Sequence, residues 1–154
     1  MVINKCGRIP VKRIYYLLGV LFLMNGCATV TLQDVTSTNR QNLLRLSMGM
    51  TKNEALNVMG TETKTAKVVL HQYGNWAETP IESMKINNPY RNEILRGKDN
   101  KTFEVLYYVT DVRKSDTNTS EDELTPLVFD NGKLIGWGWN FLNDNVQKYE
   151  LRIR

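Results

Sequence analysis

The chain is poor in the side chains that carry most protein chemistry. In 154 residues it has one histidine, His71, and two cysteines, Cys6 and Cys27. No glycine-rich phosphate loop is present, because the glycines near Trp137 alternate with tryptophans and do not open a helix. The longest apolar run, residues 14–24, falls well short of the roughly 20 residues a bilayer-spanning helix needs. The acids of Arg113 to Glu123 are no better placed for chemistry. Asp116, Asn118, Ser120 and Asp122 have the spacing of a calcium loop, but Glu121 stands where the loop needs glycine and Leu127 where it needs a bidentate glutamate. Glu121 and Glu123 have no recognisable apolar pocket to raise a pKa. The sequence therefore offers no catalytic residue and no metal ligand set, and the expectation is a protein that is not an enzyme and holds no cofactor or metal.

The first residues give an address. Residues 1–13 carry Lys5, Arg8, Lys12 and Arg13 and no acid, and the apolar run follows directly. A basic stretch, a short apolar stretch and then a small residue make a secretory signal peptide. Leu23-Met24-Asn25-Gly26-Cys27 resembles the lipobox of bacterial lipoproteins, in which the cysteine thiol receives a diacylglyceryl group and becomes the new N-terminus. The resemblance implies that 1–26 is a cleaved leader and that Cys27 carries a covalent lipid. One acyl chain binds a membrane marginally, whereas two or more hold firmly. Ala28 stands where an aspartate tends to retain such proteins at the inner membrane, so the resemblance implies an outer-membrane anchor with the body facing the periplasm.

Cleavage changes the composition. The net charge of +4 is that of the whole chain, and the leader's four basic residues account for it. What remains is formally neutral, with 16 of the 20 Lys and Arg against 16 Asp and Glu, which is no footprint for nucleic acid. Cys6 leaves with the leader and Cys27 is capped. Neither a disulfide within the mature chain nor cysteine–histidine chemistry is then supported. Residues 27–38 read as the lipidated end and a polar, flexible tether, and 39–154 as a single domain with one modest core.

That domain is organised around Leu46 to Gly60. Thr51 and Glu54 form a capping box, so a helix starts at Lys52. Ala55, Leu56 and Met59 give it an apolar stripe, and Gly60 closes it. About eight residues are too few for an isolated helix, which needs roughly 12 to 15. A second short helix is expected over Asn39 to Met48, with Gly49 turning the chain between the two.

A sheet must cover the pair. A strand is expected within Thr65 to Tyr73, another over Thr102 to Val112, and a hairpin of Leu124 to Phe129 and Lys133 to Phe141 about Asn131-Gly132. Gly74 to Asn100 is broken by Pro80, Pro89 and Gly97, with a turn at Asn88-Pro89-Tyr90-Arg91. Alternation places Ile135, Trp137, Trp139 and Phe141 on one face, to receive the helices, and leaves Gly136 and Gly138 on an open face. Tyr149, Leu151 and Ile153 suggest a further edge strand. The fold class is α+β, with two short N-terminal helices on one face of a three- to four-stranded antiparallel sheet.

Leu46-Ser47-Met48-Gly49-Met50-Thr51 with Val58-Met59-Gly60, then Tyr107-Tyr108, Leu127-Val128-Phe129 and Asn131-Gly132-Lys133-Leu134, resembles the SmpA/OmlA (BamE-like) outer-membrane lipoproteins. Asn88 to Arg91 and Gly136-Trp137-Gly138-Trp139 look like an uncharacterised small-lipoprotein branch of that group. The resemblance implies an ααβββ fold and a non-catalytic module that binds other envelope proteins in envelope assembly or maintenance. The contact surfaces expected are the joint at Gly49 and Met50, the turn Asn88, Pro89, Tyr90 and Arg91, and an open sheet edge able to take a partner strand. The alternative is an inhibitor-like or ligand-binding lipoprotein that uses the open glycine face.

Overall fold

The computed structural model describes residues 29–69 and 81–150, Ser115 apart. The leader, Cys27, His71 and the suggested strand residues Leu151 and Ile153 lie outside the described residues. The elements are α1 (Leu32–Leu43), α2 (Lys52–Met59), β1 (Lys64–Val69), β2 (Ile81–Ile86), β3 (Arg91–Arg96), β4 (Thr102–Val109), β5 (Leu124–Asp130), β6 (Lys133–Trp137) and α3 (Trp139–Tyr149). Two short 3-10 turns, Lys98–Asn100 and Glu121–Glu123, precede β4 and β5. Strands β1 and β2 form an antiparallel ribbon, and the other four form an antiparallel sheet in the order β3-β4-β5-β6.

The α+β class is the expected one, as are α2 and the hairpin. Thr51 and Glu54 close the capping box of α2, and Gly60 follows it at φ +84°. At the hairpin tip both Asn131 and Gly132 have positive φ, the requirement of a type I′ turn. The arrangement around these elements differs in four respects.

First, α1 begins at Leu32, inside the stretch expected to be a tether. Thr31 and Asp34 make a second capping box, and the buried side is Leu32, Val35, Thr36 and Asn39. Half of that side is polar, so the apolar stripe is too thin to show in sequence. Second, the last strand stops at Trp137. Gly138, at φ +89°, turns the chain into α3, which buries Leu142. Trp139, Val146 and Tyr149 pack on the core beside it at helical spacing, so Tyr149 ends a helix where an edge strand was expected.

Third, the region from Gly74 to Asn100 contains β2 and β3 on either side of the Asn88 to Tyr90 turn. Fourth, helices cover both faces of the sheet. Adjacent residues of β4 point to opposite sides: Phe103, Val105, Tyr107 and Val109 join a core with Leu32, Val35, Ala66, Val68, Ile86 and Leu142. Leu106 and Tyr108 join another with Leu46, Ala55, Met59, Leu127, Phe129 and Leu134. The first core is roofed by α1, α3 and the ribbon, the second by α2 and the joint before it.

The expected tryptophan face is not continuous either. The pairing of β5 with β6 steps from Val128 opposite Gly136 to Phe129 opposite Leu134, a bulge with one extra residue in β6. The bulge reverses the alternation. Leu134 and Trp137 lie with the α2 core, whereas Ile135, Trp139 and Phe141 pack on the other. Gly136 is not on an open face: a Cβ there would stand 2.6 Å from the Phe141 ring.

Candidate functional site

The exposed apolar surface that stands out lies where α1 ends. Its inward side runs through residues 32, 35, 36 and 39, so Leu44 falls off that stripe and projects 86% exposed, with Met48 in the following turn 65% exposed. Leu43, Leu44, Leu46 and Trp137, with Arg40 and Gln41 at the rim, line a groove of about 570 Å³. Its floor is set by the bulge that turns Trp137 to this side and by the packing of Leu43 and Trp137 on the α2 core. Arg40 lies 3.7 Å from Asp111. The lining contains no nucleophile and no group that titrates near neutrality. Its chemistry is that of a contact surface, apolar in the middle with an arginine and a tryptophan of the kind that anchor interfaces.

The joint expected to make contacts shares the α2 core with the groove residues Leu43, Leu46 and Trp137 through Met50. Gly49, at φ +85°, donates its N–H to the Leu134 carbonyl at 2.8 Å, and the Met50 carbonyl accepts from the Leu134 N–H at 2.8 Å. Lys52 N–H adds a bond to the Gly132 carbonyl at 3.0 Å. These bonds cover the hairpin end of β6's outer edge, at Lys133 and Leu134, so no full-length edge is left there for a partner strand. Met50 is half-buried against the α2 core.

The Asn88 to Arg91 turn sits at the opposite edge of the sheet and does not meet the joint. Asn88 is buried, and its amide pairs reciprocally with Asn39 of α1 at 3.2 and 3.1 Å, while Asn39 also donates to the Val109 carbonyl at 2.8 Å. Pro89 follows a cis peptide bond. Tyr90 packs against the first core and donates its N–H to the Tyr107 carbonyl at 2.7 Å. Arg91 lies 4.0 Å above the Tyr107 ring centre and forks onto Glu121, and the Tyr107 hydroxyl donates to Glu93 at 3.0 Å. Glu121 leads the groups that hold the guanidinium pKa above its ordinary value. The turn is therefore tied to α1 and β4 from within.

The acidic loop has a mechanical role that the sequence reading missed. Glu123 is buried, and its carboxylate accepts from the backbone N–H of Arg113 at 2.6 Å, Lys114 at 3.3 Å and Ser120 at 2.9 Å. It thereby ties the 111–123 loop closed across its base. Its sequence signal is the pairing of Ser120 with Glu123 as a capping box. Among the described residues, no three His, Cys, Asp or Glu side chains are grouped to hold a metal, and no helix is long and apolar enough to cross a membrane.

The described residues thus form a small α+β body with an exposed, mainly apolar groove. Residues 81–144 match the model of a family described as "Protein of unknown function (DUF3192)". The match takes in β2 to β6 and the start of α3, under half the chain, and leaves out α1, α2 and β1. The groove thus takes Trp137 from the matched part and Arg40 to Leu46 from outside it. No curated protein and no solved structure matches the chain.

Proposed function

We propose that the protein is a lipoprotein anchored through Cys27 to the outer membrane, facing the periplasm, and that it acts as a non-catalytic protein-binding module in envelope assembly or maintenance. The anchor is supported by the basic and apolar leader that ends at Gly26-Cys27. The binding role is supported by one observation above others: Leu44, 86% exposed, lines a groove with Leu43, Leu46 and Trp137, and Met48 in the turn that follows is 65% exposed. Scattered apolar side chains are ordinary on a surface, but a contiguous group beside a groove marks a contact site.

Mild crosslinking and recovery from intact cells, comparing the natural chain with a Leu44→Glu, Met48→Glu variant, tests the reading. Both side chains are exposed, so the substitutions should change stability by no more than about 0.5 kcal/mol. The expected result is an envelope protein recovered with the natural chain and lost from the variant, with unchanged thermal unfolding. Equal recovery with both, or no envelope protein with either, overturns it.

A further inference from the structure

The start of α1 restricts where the body can lie. Val30 is already fixed, because its carbonyl accepts from the Lys67 N–H at 2.9 Å, and Thr31 bridges to Lys67 in parallel pairing. Only Ala28 and Thr29 separate Cys27 from this attachment. An extended chain covers at most about 3.3–3.6 Å per residue, so the reach from Cys27 to Val30 is about 10 Å. A lipidated cysteine would hold the edge of β1 within about one headgroup layer of the bilayer.

The ribbon carries a matching surface at that place. Register places Thr65 opposite Lys85, Lys67 opposite Ser83 and Val69 opposite Ile81 on its outer face, and all six are exposed. This face holds two lysines, no carboxylate and an apolar pair, with Val69 46% and Ile81 62% exposed. Asp34, nearby at the start of α1, has its carboxylate turned back onto Thr31. Cationic side chains beside exposed aliphatic ones suit a layer of anionic headgroups over acyl chains.

We propose that the outer face of the β1–β2 ribbon lies on the anionic phospholipid surface in which the chain is anchored; this rests on the lipidation of Cys27 proposed above. Helix α1 then lies on the ribbon's inner side, where Val35 shares a core with Ala66 and Val68. Its 12 residues span about 18 Å to the groove at its far end, so the groove lies on the side of the ribbon turned from the headgroups.

The test uses the mature protein purified from membranes and reconstituted in vesicles of phosphatidylethanolamine with phosphatidylglycerol. A fluorophore is placed at Ser83→Cys on the ribbon or at Ser47→Cys beyond the end of α1, with a headgroup-level quencher in the lipid. The label at residue 83 is expected to lose most of its emission and the label at residue 47 little. Adding Lys67→Glu and Lys85→Glu should restore the emission at residue 83 while the protein still floats with the vesicles.

Flotation without quenching at residue 83, or equal quenching at both positions, overturns the proposal and leaves the anchor standing. So does shielding of residue 83 that grows with protein concentration in detergent alone, which would give the face to a second copy. Loss of flotation, with an unmodified N-terminus by mass, overturns anchor and orientation together.

Discussion

The amide pair of Asn39 and Asn88 joins parts of the chain that are far apart in sequence. Each amide is a donor and an acceptor to the other, and Asn39 also serves the Val109 carbonyl. Both residues are buried, so water cannot replace a lost partner. Asn39→Ala is expected to lower unfolding free energy by about 1–3 kcal/mol, because it orphans the Asn88 amide and a β4 carbonyl. Asn88→Ala should cost a similar amount, and the double variant clearly less than the sum of the two. Urea unfolding of the four proteins measures this, and strict additivity would show that the pair is not coupled. Neither asparagine was legible as a partner from sequence. Buried polar contacts leave no periodic pattern, and Asn88 read as turn chemistry because a proline follows it.

At the scale of elements, the strand-to-helix passage from β6 to α3 shows where sequence patterning fails. Lys133 to Phe141 alternates bulky and small residues as a strand should, yet the bulge at Ile135 reverses the facing of the residues after it and Gly138 ends the strand. The helical spacing of Trp139, Leu142, Val146 and Tyr149 was present but competed with the strand pattern over the same residues. By contrast, α2 and the Asn131-Gly132 tip were legible because each rests on local chemistry, a capping box and a two-residue turn. Gly136 lets the Phe141 ring lie directly on the β6 backbone. Gly136→Ala is therefore expected to destabilise the fold by about 1–3 kcal/mol through overpacking, and Phe141→Leu in the same chain should recover part of that loss. Thermal unfolding decides it, and an unchanged midpoint for Gly136→Ala would contradict the contact.

For the whole molecule, β4 ties the two cores together by presenting neighbouring tyrosines to opposite sides. Tyr107 and Tyr108 are fully buried, and burial pushes both phenols up to about 12, against about 10 in an unfolded chain. Below pH about 10 both hydroxyls are protonated in either state, so their full contribution to stability is present. Above it the unfolded chain alone releases protons, and stability falls as pH rises toward about 12. Urea midpoints followed by tryptophan fluorescence should decline over this interval, and Tyr108→Phe should flatten the decline; a level profile would rule the linkage out. The two-sided sheet itself was only partly legible. The sequence supplied one clear central strand, whereas β2 and β3 are short segments whose pairing depends on contacts distant along the chain. The turn at Gly49 was legible as a backbone feature, but Leu44 of the groove emerged as exposed only once the phase of α1 was known.

The backbone of residues 49 to 52 laid along β6 leaves the four-stranded sheet with β3 as its unsealed margin, paired among the described residues only with β4. Two copies that zipped together along that margin would each use up their available rim. Strand-to-strand joining through this sheet would accordingly stop at a closed pair and could not run on into a fibre.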